Sequence, residues 1–256
     1  MTQMPAIDPD SFDYQERAVA FIDVLGFAEL VKQSAANPTA RANISKLIDT
    51  NRLFERFTRE LLRFAEAAFF SDTFVLSMHS PEIRLIHLIR EAGQLCRRLL
   101  LQGFPCRGAI TTGSLYHQNR FVVGPALVVA HRLEQSVAVY PRVILDDPTI
   151  SYWENEFRGQ GPAHRHLEAL IKRDRDGQRF LDIFHPAWGS DFIQWTEFIP
   201  SGETIPTDPV EFLNAAWTQI ARNRATHIGN LRVLAKWEWL ASECNQCADA
   251  LGIKLA

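Results

Sequence analysis

The run Ala-Val-Ala-Phe-Ile-Asp-Val-Leu-Gly-Phe, from Ala18 to Phe27, is apolar throughout except for Asp23. Strand formers dominate its first half and Gly26 follows, which predicts a buried strand turning into a helix. A carboxylate at the end of such a strand is poorly explained by packing, because burial without partners costs several kcal/mol. A helix cap or a structural ion pair would account for a lone Asp equally well. The run is interrupted and follows a polar, acidic leader, so it reads as neither signal peptide nor membrane span.

The chain has 256 residues, 46% hydrophobic and 22% charged, which suits one large domain or one domain with a helical appendage. A net charge of -3 gives no argument for nucleic acid or an anionic membrane, and neither is expected as a partner. Cys96, Cys106, Cys244 and Cys247 do not make a disulfide framework, and a cytoplasmic location is expected. The Cys244-x-x-Cys247 pair lacks nearby ligands and reads as two small apolar residues on one helical turn.

Periodicity predicts strands at residues 18–22, 107–113, 120–123 and 141–145, and helices at 27–35, 81–101 and 126–137. A long amphipathic helix is expected over 40–67, then a hairpin of 67–71 and 73–78 turning at Ser71-Asp72. Residues 150–170 read as mostly helical, and 171–184 as a closing hairpin around Asp176-Gly177. A turn-rich stretch at 200–209 leads to two helices, 209–226 and 229–251, the second carrying Trp237 and Trp239. The expected division is a polar leader at 1–16, a domain at 17–186, and a linker with packed C-terminal helices at 187–256. These runs suggest an α+β domain with helices on a mixed sheet.

Three further segments bear on chemistry. Phe69-Phe70-Ser71-Asp72-Thr73-Phe74 puts a second carboxylate at a hairpin tip, where a turn Asp is common. Arg107-Gly108-Ala109-Ile110-Thr111-Thr112-Gly113 reads as a strand. Gly124-Pro125-Ala126-Leu127-Val128-Val129-Ala130-His131-Arg132-Leu133-Glu134 opens a helix with Val128, His131, Arg132 and Gln135 on one face.

In this order, from residues 18 to 184, the segments resemble the catalytic domain of class III nucleotidyl cyclases, and most of all the compact pyrimidine cyclases of the Pycsar antiphage system. The resemblance implies a ferredoxin-like βααββαβ core with a mixed sheet, plus a C-terminal helical extension. It implies that Asp23 and Asp72, with the backbone carbonyl of Val24, hold two Mn²⁺ or Mg²⁺ ions, hard cations that prefer oxygen. Phe21 would line the triphosphate pocket, and Arg132 would stabilise charge on the α-phosphate from the other subunit of a head-to-tail homodimer. The implied reaction turns a nucleoside triphosphate into a 3′,5′-cyclic nucleotide and pyrophosphate. UTP would be preferred, and the cUMP formed would activate a separately encoded effector in antiphage defence.

The chain departs from the family pattern at several positions. The two positions that read purines hold Ala68 and Phe121, which agrees with a pyrimidine substrate. Val128 stands where many purine cyclases have an Asn that orients the ribose. The phosphate-binding lysine of the last hairpin has no secure counterpart among Lys172, Arg173 and Arg175. These departures leave open a catalytically degenerate nucleotide-binding or dimerisation module, or a cyclase making cCMP or a purine product.

Overall fold

A computed structural model describes residues 13–61, 65–79, 81–157, 168–189 and 205–255. Strand β1 (Gln15–Val24) is followed by helices α1 (Phe27–Ser34) and α2 (Pro38–Leu61), then the hairpin β2 (Ala65–Phe70) and β3 (Thr73–His79). Helix α3 (Pro81–Leu101) leads to β4 (Cys106–Gln118), β5 (Phe121–Val123), α4 (Pro125–Ser136), β6 (Val143–Leu145) and α5 (Asp147–Phe157). The short strands β7 (Ile171–Arg173) and β8 (Arg179–Leu181) close the sheet, and α6 (Pro209–Thr226) and α7 (Leu231–Ala250) end the chain. The strands run in the order β2-β3-β1-β4-β6-β8-β7, with β5 paired to β4. Only the β4–β6 pairing is parallel among those described. The expected α+β architecture with a mixed sheet and added C-terminal helices is therefore what the chain adopts.

The apolar run around Ala18 has a simple cause. β1 lies between β3 and β4, and successive side chains enter opposite cores. Ala18, Ala20, Ile22 and Val24 join the larger core with α2, α3 and α5, whereas Val19 and Phe21 join a smaller one beneath α4. A third cluster unites α6 and α7 with Leu100 of α3 and Phe184. Arg97 of α3 is buried in this seam, donating to Ile183 O at 2.7 Å with its guanidinium 3.4 Å from the Phe212 ring centre. Burial pushes it down to about 9. Asp208 caps α6, its Oδ1 accepting from Val210 N at 2.8 Å and Glu211 N at 3.0 Å.

Several boundaries shift from expectation, β1 and β4 running longer than the predicted 18–22 and 107–113, and one changes the type of element. The helix predicted over 40–67 ends at Leu61, and Ala65–Phe70 is a strand paired to β3 from Ala65↔Met78 to Phe70↔Thr73. Ala65, Glu66 and Ala67 favour a helix intrinsically, but pairing with the adjacent hairpin strand overrides that weak preference. Residues 62–64, 158–167 and 200–204, within the predicted 40–67 helix, 150–170 helix and 200–209 linker, lie outside the described residues. Cys244 and Cys247 are packing groups, with burial raising the thiols to about 12 and about 11. Among the described residues no helix is long and apolar enough to cross a membrane.

Candidate active site

Two backbone hydrogen bonds define the end of β1. Val24 N donates to Asp72 O and Leu25 N to Pro105 O, each at 2.9 Å. Gly26, with φ 87, then turns the chain into α1 in a conformation that glycine adopts without a Cβ penalty. The cap position of α1 is Gly26 itself, and no side chain caps the helix. Asp23 is therefore not a capping residue. In register it lies between Thr73 of β3 and Arg107 of β4, on the Phe21 side of the sheet.

Asp72 follows Ser71 at the tip of the β2–β3 hairpin. Ser71 has φ 60, a left-handed conformation that non-glycine residues rarely adopt. The Val24–Asp72 bond ties this tip to the end of β1 and brings the two aspartates together. Among the described residues, no hydrogen bond or ion pair of its own holds the Asp72 carboxylate. The turn reading accounts for its position but leaves its side chain uncommitted.

Arg107 Nε is 3.5 Å from Asp23 Oδ2 and 2.6 Å from Glu134 Oε1. The shorter approach is a charge contact without hydrogen-bond alignment. One guanidinium thus serves two carboxylates and cannot fully compensate either. Burial first, then Glu134 and Asp72, push Asp23 up to about 6, with Arg107 acting in the opposite sense. Burial likewise raises Glu134. Three carboxylates, Asp23, Asp72 and Glu134, thus act on one another across this corner, with Arg107 set between two of them.

Glu134 is buried because of how α4 sits. Ala126, Ala130 and Glu134, four residues apart, form its inward stripe. The helix starts at Gly124, where a Cβ would come within 2.7 Å of Ser114 O and 2.8 Å of Leu115 Cα. Arg132 projects from the other side of α4 into solvent. It makes no ion pair with Asp23 or Asp72 among the described residues. Val128 is exposed on the same helix, and Phe21 is buried with its ring 5.4 Å from that of His131.

The structure therefore brings together Asp23, Val24 and Asp72, adds Glu134 and Arg107, and leaves Arg132 apart. Ala68 is buried on β2, whereas Phe121 is exposed on β5. Lys172 is committed to α7, with Nζ 2.6 Å from Glu243 Oε2 and 3.0 Å from Gln246 Oε1. Glu134 was legible only as part of the helical motif, and the i, i+4 stripe from Ala126 was the available signal. Lys236 of α7 also carries its charge into this corner, interacting with Arg107, Asp23 and Glu134. Nothing in the order of motifs pointed to it.

Among the described residues no group of three or more His, Cys, Asp or Glu side chains is arranged to hold a metal. The donor set does suit hard divalent cations: two adjacent carboxylates, one of them without a hydrogen bond or ion pair among the described residues.

No protein-family profile matches the sequence, and no curated protein matches it. Among solved structures, a bacterial light-regulated adenylyl cyclase aligns at 19% identity and TM-score 0.41, over 57% of this chain and 48% of that one. The chain thus spans about half the length of that protein. A monomeric guanylyl cyclase domain of the RhoGC fusion protein from the aquatic fungus Blastocladiella emersonii aligns at 13% identity and TM-score 0.42, over 66% and 95%. An adenylate/guanylate cyclase/hydrolase from Silicibacter pomeroyi gives 13% and 0.38, over the same shares. Likeness this loose leaves the chemistry to the residues of the site.

Proposed function

We propose that the protein is a nucleotidyl cyclase acting on a pyrimidine nucleoside triphosphate, with UTP preferred. The observation that carries this reading is the joining of the Asp23 and Asp72 segments by the Val24–Asp72 backbone bond at 2.9 Å, with no hydrogen bond or ion pair holding the Asp72 carboxylate among the described residues. Asp23, the Val24 carbonyl and Asp72 would hold two Mn²⁺ or Mg²⁺ ions. Bound there, divalent cations lower the pKa of an attacking hydroxyl and offset phosphate charge.

The ribose 3′-oxygen attacks the α-phosphorus, the bond to pyrophosphate breaks, and the hydroxyl proton leaves to solvent. Arg132 stabilises the charge on the α-phosphate. Because Arg132 faces solvent on α4, it serves the aspartates of a second copy in a head-to-tail homodimer. Exposed apolar side chains on α4 and on β5 before it favour that assembly: Phe121 and Val128 are 58% and 59% exposed, and Val123 and Val129 are exposed too. Ala68 and Phe121 offer no side-chain hydrogen bond to a purine, which supports a pyrimidine base. The product would be cUMP, acting in antiphage defence through a separately encoded effector, and the protein would work in the cytoplasm.

Purified protein incubated with Mn²⁺ and ATP, GTP, CTP or UTP separately should yield mainly cUMP by mass spectrometry. Predominant cAMP or cGMP would overturn the pyrimidine reading, and no product from any of the four would overturn the enzyme. A degenerate nucleotide-binding module is the second reading, favoured by Val128 and by the commitment of Lys172 to Glu243.

A further inference from the structure

The C-terminal end of α4 is held by a side chain from outside the helix. Val137 caps α4, and its carbonyl is one of the acceptors that a helix end leaves unmatched. Arg142, just ahead of β6, donates to that carbonyl from Nη2 at 3.4 Å. A cation there also meets the negative end of the helix dipole. The Arg142 side chain is 1% exposed, and a guanidinium so buried needs carboxylates to answer it. Asp174 and Asp176, in the turn between β7 and β8, both accept from it. The backbone of the same residue reaches β4: Arg142 O accepts from Gly108 N at 3.0 Å, beside Arg107.

Helix α7 completes this clasp. Trp239 Nε1 donates to Asp174 Oδ2 at 3.3 Å, the same oxygen that accepts from Arg142 Nη1. The indole stacks on Tyr140, with centroids 5.9 Å and planes 11° apart, and meets Phe180 edge-on at 5.4 Å. Trp239 also packs against the small core that holds Phe21, Ala126 and Ala130. An unbroken chain of contacts therefore runs from Trp239 through Asp174 and Arg142 to the Val137 carbonyl, just past Arg132 and Glu134.

We propose that Trp239 is a positioning residue for cyclisation: through Asp174 and Arg142, α7 sets the end of α4 and with it Arg132 and Glu134. This rests on the cyclase reading above and deepens it, giving the C-terminal helices a part in turnover. The alternative is a clasp that only adds stability. The two differ in kcat per folded molecule. Arg132 acts on charge that develops in the transition state, so its misplacement lowers kcat with little change in KM.

Steady-state kinetics of the full chain test this, with Mn²⁺ and the triphosphate it turns over best, well below each variant's Tm. Trp239→Phe keeps an aromatic ring on Tyr140 and removes the indole N–H. Its kcat should fall about 10-fold, with KM within about twofold of wild type. Trp217→Phe, in α6 and off this chain of contacts, should leave both unchanged. Asp174→Asn should lower kcat as well, and the double variant should lose little beyond the larger single loss, because both break one chain. Amide hydrogen exchange in Trp239→Phe should quicken at residues 133–138 and stay as in wild type along β1. If Trp239→Phe folds poorly, Asp174→Asn carries the same expectations. Wild-type kcat in both variants, or exchange quickened throughout in step with a lowered Tm, overturns the proposal while the cyclase reading stands. If wild type makes no cyclic nucleotide from any of the four triphosphates, the cyclase reading falls and the proposal with it.

Discussion

Asp23 shows how a single carboxylate can be read twice. In the sequence it is an Asp closing a strand, open to explanation as a cap or an ion-pair partner. The structure removes the cap, since Gly26 begins α1 without a side-chain cap, and weakens the pair, since Arg107 lies nearer Glu134. A carboxylate raised from 3.8 to about 6 takes up its proton more readily folded than unfolded. Its contribution to stability is therefore full below pH 3.8 and is lost as pH rises toward about 6. Asp23→Asn should gain about 1–2 kcal/mol at neutral pH without metal, measured by urea unfolding in EDTA. The same variant should lose at least about 100-fold in cyclase activity, so stability and function should move in opposite directions. The residue types at both aspartates were legible; Glu134 and Lys236 were not, because burial and proximity are properties of packing.

At the scale of elements, the seating of α4 decides what its side chains face. Gly124 lies against the β4 backbone, so Gly124→Ala must displace either the strand or the helix. The expected cost is about 1–3 kcal/mol in chemical denaturation, with loss of activity as Glu134 and Arg107 shift apart. Strands β1, β3 and β4 are also joined at their far end. Arg17 donates to Ser77 Oγ at 3.0 Å, and Ser77 Oγ lies 2.8 Å from His117 Nδ1. Burial and then Arg17 push His117 down to about 3 from 6.5. The unfolded chain thus binds the proton more readily, and stability falls as pH drops from 6.5 toward about 3. The slope is at most about 1.4 kcal/mol per pH unit. His117→Gln should flatten that acid limb in thermal melts across the same range. Most elements were legible from periodicity and turn residues. The end of α2 was not, because a run of Ala and Glu became a strand by pairing with β3.

For the whole molecule, the separation of Arg132 from Asp23 and Asp72 makes a dimer the test of the site. Val128→Asp puts a charge in the exposed apolar patch and should yield a monomer by analytical ultracentrifugation, with activity lost in parallel. Complementation is more specific. Asp23→Ala and Arg132→Ala should each be inactive, while an exchanged equimolar mixture should recover about a quarter of wild-type activity. Half the dimers would be mixed, each with one intact site. No recovery from a mixture shown to form mixed dimers would overturn the shared site.

The sequence by itself determined the alternation of strands and helices, the α+β class, and the two carboxylates at chain reversals. These follow from local periodicity and turn chemistry, which a short window of residues carries. The order of the motifs, through the family they resemble, already put Asp23 and Asp72 at one site, but tertiary structure alone decided that Glu134 is buried beside them and that Arg107 is divided between Asp23 and Glu134. Those contacts join residues far apart in the chain, and their energetics depend on burial and on neighbouring charges that only the folded arrangement supplies.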